Sequence, residues 1–198
     1  MGSSIVSGRA PVLVITGTSG AGKGTLVKAL LARVPALEAA VSATTRSRRP
    51  GEENGRHYWF LSAEEFDRRL GEEAFLEFHV FPWGQRSGTL LSEIDRISAR
   101  GRIPLLELET YGALNVRDRV PGSVTIFIAA PTFEELERRL RDRATESAGE
   151  IDERLALARV QLEQKDEFSH TVVNDDVERA TEELAEIVDR ELAAAATI

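Results

Sequence analysis

Nine residues, Gly17 to Thr25 (GTSGAGKGT), combine four glycines with one lysine and three hydroxyl side chains, behind the apolar run PVLVI and ahead of the helical pattern LVKALLARV. Glycine has no Cβ, so such a loop can turn successive backbone N–H groups toward an anion and set a helix N-terminus against it. Gly17, Thr18, Ser19, Gly20, Ala21, Gly22, Lys23, Gly24 and Thr25 are therefore candidates for cradling a nucleoside triphosphate, with Lys23 reaching its β- and γ-phosphates. The strict pattern G-x-x-x-x-G-K-[ST] is not met, because Gly24 holds the hydroxyl position and Thr25 follows it. That shift leaves the hydroxyl ligand of a magnesium ion open, with Thr25 the candidate at hand.

A second cluster lies downstream. The stretch SATTRSRRPGEENGRHYWF places Arg46, Arg48, Arg49 and Arg56 close together, alongside Ser42, Thr44, Thr45 and Tyr58. Arginine offers a planar fork of donors that suits phosphate oxygens, and clustered guanidinium groups repel one another unless an anion or a carboxylate relieves them. Glu52 and Glu53 could supply that relief internally, which is the reading of a solvated loop of mixed charge. Beside a phosphate loop, a second anion site points to transfer between two phosphorylated ligands.

The elements that must position these groups alternate. After the first strand and helix, Leu37 to Ala43 reads as β and Tyr58 to Leu61 is apolar. Ala63 to Leu70 is helical and opens on a capping box of Ser62 and Glu65. Ala74 to Phe81 reads as a strand, broken by Pro82 and Gly84. Thr89 to Ala99 has helical spacing; Ile103 to Leu108 and Val124 to Ala129 are strands. Phe133 to Arg143 and Glu150 to Phe168 are charged helices separated by an exposed turn, ATESAGE. A final strand, HTVVN, precedes an acidic helix from Val177 to Ala194. Strands alternating with helices imply an α/β fold with a mostly parallel sheet.

Together these residues resemble the guanylate kinase family, nucleoside monophosphate kinases with a P-loop core. The resemblance runs from about Val12 to the final helix. It rests on GTSGAGKGT, on SATTR with Arg49, Pro50 and Gly51 behind it, on Tyr58, on the FLE of Phe75 to Glu77, on ELERRLRDR, and on VVNDD. It implies one domain over residues 10–198: a P-loop core with a parallel central sheet flanked by helices (about 10–41, 90–137 and 160–198), a GMP-binding insertion (about 42–89) and a small helical lid (about 138–159). The substrates implied are ATP, with Mg2+, and GMP.

Carried over by residue, the family pattern gives Arg46, Arg49 and Tyr58 to the GMP phosphate, and Ser42, Glu77 and Thr89 to the guanine. A carboxylate at Glu77 can accept from both the N1–H and the exocyclic amine of guanine, whereas adenine would leave it desolvated and unpaired. Arg139 and Arg143 in the lid, with Arg154 from the next helix, would join Lys23 in neutralising the transferring phosphoryl group. Asn174 would lie on the adenine side. Three departures from the pattern stand out, at four positions. Ser87 stands where the family carries a tyrosine near the phosphate. Glu107, assigned near magnesium, and Glu109, near the guanine, replace paired aspartates. Ala144 replaces a lid glycine.

Bulk properties bound the rest. The chain has 198 residues, 42% hydrophobic and 29% charged, enough for one sizeable core. A formal net charge of -8 opposes general attraction to nucleic acid or anionic membrane. Cysteine is absent, the longest apolar runs are too short for a membrane span, and residues 1–9 lack the apolar core of a signal peptide. The expectation is a cytoplasmic monomer or homodimer with a loose leader over residues 1–9. Two alternatives stay open: a kinase for another phosphorylated acceptor, and a non-catalytic binding module of the same fold.

Overall fold

The computed structural model describes residues 11–81, 83–142 and 148–195. The expected leader, Arg143 and Ala144 lie outside the described residues.

Five strands build the main sheet: β1 (Leu13–Gly17), β2 (Leu37–Ala39), β7 (Ile103–Glu107), β8 (Val124–Ala129) and β9 (His170–Val173), in the order β2-β7-β1-β8-β9 with every pairing parallel. Both faces are covered, so the strands are apolar throughout rather than alternating. Leu13, Ile15, Leu105, Ile126 and Ile128 face α1 (Lys23–Arg33) and α7 (Val177–Ala195), packing on Leu26, Leu30, Ala180 and Leu184. Val12, Val14, Leu106 and Phe127 face the other way, onto Ile94 of α3 (Leu91–Ser98), Val116 of α4 (Thr110–Arg119), and Phe168. Each such fully buried aliphatic side chain contributes about 1.5–3 kcal/mol through water exclusion.

A second sheet holds β3 (Ala43–Thr44), β4 (Trp59–Phe60), β5 (Phe75–Val80) and β6 (Arg86–Leu90), in the order β4-β3-β6-β5. It has its own small core of Ala43, Phe66, Phe75 and Leu90, with Phe66 coming from α2 (Ala63–Gly71). The Ser62 hydroxyl caps α2 by accepting from the Glu65 amide at 3.1 Å, as the capping box requires. Glu65 does not return the bond, because its carboxylate is taken by Arg68 and Arg69.

The register of β5 carries a bulge. Phe75 pairs with Leu90 and Glu77 with Thr89, so two steps on one strand match one on the other. The extra residue shifts side-chain parity. Phe75 and Phe78 both join the small-sheet core, Leu76 turns into the main core beside Ile94, and Glu77 and His79 face α4. Three consecutive residues, Phe75, Leu76 and Glu77, are buried in three different settings.

After β8 come α5 (Phe133–Asp142) and α6 (Ala148–Glu163), packed through Leu136, Leu140, Leu155 and Ala158. The Arg159 guanidinium lies 3.9 Å from the centre of the Phe133 ring.

The structure corrects four sequence expectations. Leu37 to Ala43 is not one strand: β2 ends at Ala39 in the main sheet, and β3 begins at Ala43 in the small one. Thr89 and Leu90 are strand, and the helix starts only at Leu91. Ala148 and Gly149, expected in the exposed turn, already belong to α6, which ends at Glu163, short of the expected Phe168, before a short 3₁₀ turn at Lys165–Glu167. Helix α4 was not anticipated, although Ala113, Val116 and Val120 are buried at helical spacing; the glycine and the polar flanks mask the pattern.

Candidate active site

The glycine loop leaves β1 at the carboxyl edge of the parallel sheet and runs into α1. Gly17, Gly20 and Gly22 have φ of 141°, 87° and 88°, angles that side-chain-bearing residues rarely adopt. At Gly17 the reason is also space: a Cβ there would stand 2.1 Å from the Ile128 carbonyl oxygen of the neighbouring strand. Gly22 caps α1 in a left-handed conformation, and the amides of Thr25 and Leu26 bond back to its carbonyl. The helix N-terminus is thereby turned toward the loop, as an anion site requires.

Lys23 folds over this loop, its Nζ donating to the carbonyls of Gly17 at 2.7 Å and Thr18 at 3.1 Å. The Thr18 hydroxyl is fully enclosed and finds no hydrogen-bond partner among the described residues. Ser19 is half-buried; Gly24 and Thr25 are exposed at the first turn of α1. Ala21 is buried, and its carbonyl accepts from the Asn174 side-chain amide at 2.7 Å. Asn174 is itself buried, and its Nδ2 would lie only 2.4 Å from a Cβ on Gly22. The residue thus braces the loop from behind rather than standing open to solvent.

Opposite the loop, β7 ends at Glu107. Burial pushes its carboxyl pKa up; the positive charge of Lys23 opposes this and Glu109 reinforces it. A Cβ on Gly24 would stand at ordinary contact distance, 3.9 Å, from Glu107 Oε1, so the start of α1 and this carboxylate lie side by side. Glu109 is the N-cap residue of α4 but makes no side-chain capping bond. Its carboxylate instead lies 3.4 Å from the Gln161 amide of α6, a contact the sequence did not reveal. Among the described residues no three His, Cys, Asp or Glu side chains gather into a ready metal cage.

Glu77 is 4% exposed and receives the Thr89 hydroxyl at 2.8 Å, so these two residues meet directly across the β5–β6 pair. Burial raises its pKa, and the Thr89 hydrogen bonds work against that rise. On α4, a Cβ at Gly112 would stand 3.0 Å from Glu77 Oε2. Gly112 is a site residue that sequence reasoning missed; its only signal was a glycine inside ELETYGAL.

Arg46 follows β3 and donates from both terminal nitrogens to Glu52, at 2.8 and 2.7 Å. Glu52 also accepts from the Arg49 amide, and its pKa is pulled down to about 2, first by the Arg46 fork. The Arg46 guanidinium lies over Tyr58, 5.1 Å from the ring centre. The structure therefore brings Arg46 and Tyr58 together with Glu52, while the Arg49 side chain is exposed beside them. The Ser42 backbone carbonyl accepts from the Trp59 amide. Ser87 donates to the Ala43 carbonyl within the sheet, and neighbouring Arg86 points toward Asp67 of α2.

On α5, Arg139 bonds Glu135 at 2.8 Å and reaches the Asn174 carbonyl at 3.1 Å, which sets it beside the brace of the glycine loop. Arg154 is half-buried on α6.

A glycine loop feeding a helix at the carboxyl edge of a parallel sheet defines a phosphate-binding α/β protein. The guanylate kinase family model matches residues 9–191. A guanylate kinase of Rubrobacter xylanophilus is 48% identical over 92% of this chain and 95% of its own length. One from Neisseria meningitidis serogroup A is 45% identical over 90% of this chain and 86% of its own. The crystal structure of guanylate kinase from Anaplasma phagocytophilum superposes with a TM-score of 0.72 at 26% identity, covering 93% of this chain and 87% of that one. The chain belongs to the guanylate kinase family.

Proposed function

We infer that the protein transfers the γ-phosphoryl group of ATP to GMP, giving ADP and GDP. The observation that carries this reading is Glu77: a buried carboxylate on a bulged strand, oriented by Thr89, with Gly112 keeping its second oxygen clear. Desolvated carboxylate oxygens select a base that presents two adjacent donors, as guanine does, over one that presents an acceptor.

In this reading residues 42–89 form the acceptor region and 138–159 the lid. Arg46, Arg49 and Tyr58 take the GMP phosphate, and Ser42 and Glu109 assist Glu77 and Thr89 at the base. Ser87 is spent on the sheet, so the phosphate relies on the arginines and Tyr58. Gly17 to Thr25 hold the ATP phosphates, and Asn174 supports them through the loop. A phosphate oxygen of GMP attacks the γ-phosphorus in line, the bond from that phosphorus to the bridging oxygen of the leaving ADP breaks, and its electron pair stays with ADP. No general base is needed, because the attacking oxygen is already anionic. Lys23 exchanges its loop carbonyls for phosphate oxygens, while Arg139, Arg143 and Arg154 stabilise charge on the transferring group. Thr25, in the first turn of α1, and Glu107, beside that turn, would hold an oxygen-ligated Mg2+, which when bound would neutralise charge on the phosphates. The donor set at that point is all oxygen, as magnesium prefers.

We place the protein in the cytoplasm without nucleic-acid partners, as a monomer or homodimer; no helix among the described residues is long and apolar enough to cross a membrane. The test is ADP release from Mg·ATP with GMP, dGMP, AMP, UMP or ribose phosphates as acceptor, beside Lys23→Ala. Strong GMP-dependent release, lost in the variant, is expected. Release only with another acceptor overturns the GMP assignment, and none with any acceptor leaves a binding module.

A further inference from the structure

The small sheet joins the main body through two chain crossings, one between β2 and β3 and the other where β6 runs into α3. A single carboxylate ties them together. Glu93, in the first turn of α3, is 2% exposed although it carries a charge. Its Oε1 accepts from the Val41 amide at 3.0 Å, in the middle of the first crossing. Its Oε2 faces the Trp59 indole N–H at 3.4 Å, on β4 of the small sheet. Arg96, one turn further along α3, holds both oxygens of Glu93 and extends to Glu38 of β2 at 2.6 Å. The chain of contacts thus runs from the last strand before the first crossing, through the second crossing, to the small sheet.

A buried carboxylate with four donors around it is held in one place, and removing part of the set leaves the remainder unpaired. Nothing in the phosphate-transfer chemistry uses it. Beside it an open cleft of about 190 Å³ is lined by Trp59 and Leu61 of the small sheet and by Leu90 and Ser92 at the second crossing, with Arg69 at its edge. On this side of the junction the Glu93 contacts, rather than close packing, hold the small sheet against α3. A change in that seat would carry Glu77, Arg46 and Tyr58 together, since β4, β3, β6 and β5 form one hydrogen-bonded sheet.

We propose that Glu93 is a positioning residue for the phosphoryl acceptor: by joining the two crossings and the Trp59 indole, it fixes the seat of the small sheet on the main body. This rests on the acceptor assignment made above. A residue with this role acts on acceptor binding and leaves donor binding and the chemical step alone.

The experiment compares steady-state constants for GMP and ATP in wild type, Glu93→Gln and Trp59→Phe, with thermal unfolding of each. Glu93→Gln keeps the shape but offers Arg96 and Trp59 an amide. It should raise KM for GMP about tenfold, with kcat and KM for ATP within twofold of wild type. Trp59→Phe removes one donor and should raise KM for GMP about threefold. In a Trp83→Phe background Trp59 is the sole tryptophan, and its emission change on adding GMP should shrink with Glu93→Gln. A lowered melting temperature with unchanged KM for GMP overturns the proposal, as does an equal rise in both KM values. If Glu93→Gln does not fold, the Trp59→Phe constants decide alone. Absence of GMP turnover in wild type overturns the acceptor assignment, whereas turnover with unaltered variants overturns only the role of Glu93.

Discussion

In the proposed function the glycine loop offers backbone to its ligand, whereas the small sheet offers side chains. In the role proposed for the loop, the groups offered to phosphate would be amides held by left-handed glycines and by the brace from Asn174. In the small sheet they are a carboxylate and guanidinium groups, each oriented by another side chain: Glu77 by Thr89, Arg46 by Glu52. A phosphate is the same on every nucleotide, so a backbone cradle suffices for it. A base must be distinguished from its analogues, which takes a side chain whose desolvation makes a mismatch expensive. The two halves should therefore fail differently.

The largest effect is expected at Lys23. Lys23→Ala should lower kcat by about 10³-fold or more while the melting temperature stays near wild type, measured by ADP release and calorimetry. Unchanged turnover would contradict the loop assignment.

Glu77→Gln comes next. Catalytic efficiency with GMP should fall by roughly 10²-fold and the preference for GMP over AMP should narrow, because an amide cannot accept from both guanine donors. The same substitution gives a second readout. Burial raises the pKa of Glu77, so the folded state binds its proton more tightly than the unfolded chain does. The carboxyl therefore costs no stability below the unfolded pKa, and the penalty grows as pH rises through the folded value. Free Glu77→Gln should consequently melt higher than wild type at pH 7–8, and the difference should close as the solution is acidified below the usual carboxylate range. A difference independent of pH would mean that the carboxyl is not desolvated.

Gly112→Ala sharpens the same point with one methyl group, placed 3.0 Å from Glu77 Oε2. Displacing the carboxylate by a few tenths of an ångström should raise KM for GMP roughly three- to tenfold with KM for ATP unchanged. On the loop side, Asn174→Ala leaves the buried Ala21 carbonyl without its donor, a loss of about 1–3 kcal/mol, equivalent to a melting point lower by about 2–12 °C. Here KM for ATP should rise and KM for GMP should not. Equal movement of both constants in either variant would erase the contrast between the halves.

How legible each half was from sequence follows the same division. The loop could be read directly, because backbone cradles leave a local signature: glycines at fixed spacing between a strand and a helix. The parallel sheet was legible for a similar reason, since strands such as ITG-bearing β1 and IPLLE are continuous apolar runs. The small sheet was harder. A two-residue strand such as Ala43–Thr44 carries too little pattern to separate from Leu37–Ala39, and the bulge at Leu76 leaves no mark on composition. Glu77 could be named through the family resemblance, but its companions could not all be found that way. Gly112 touches it only because α4 packs against β5, and Gln161 meets Glu109 only because α6 returns beside α4. Such contacts join residues far apart in sequence, and no local spacing encodes them.

The pairing of Ala43 with Gly88 has an evolutionary consequence. The segment between them departs from and rejoins the rest of the chain at one place in space, and it carries its own apolar centre in Phe66 and Phe75. Two genetic crossovers just outside those points, before Ser42 and after Thr89, would move most of the proposed acceptor-reading residues between related chains, leaving Glu109 and the glycine loop in place. The seams that such a graft must match include Trp59 against Glu93, Leu76 against Ile94, and Glu77 against Gly112. Acceptor preference in this architecture can therefore diversify by exchange of one segment, while the donor half is inherited unchanged.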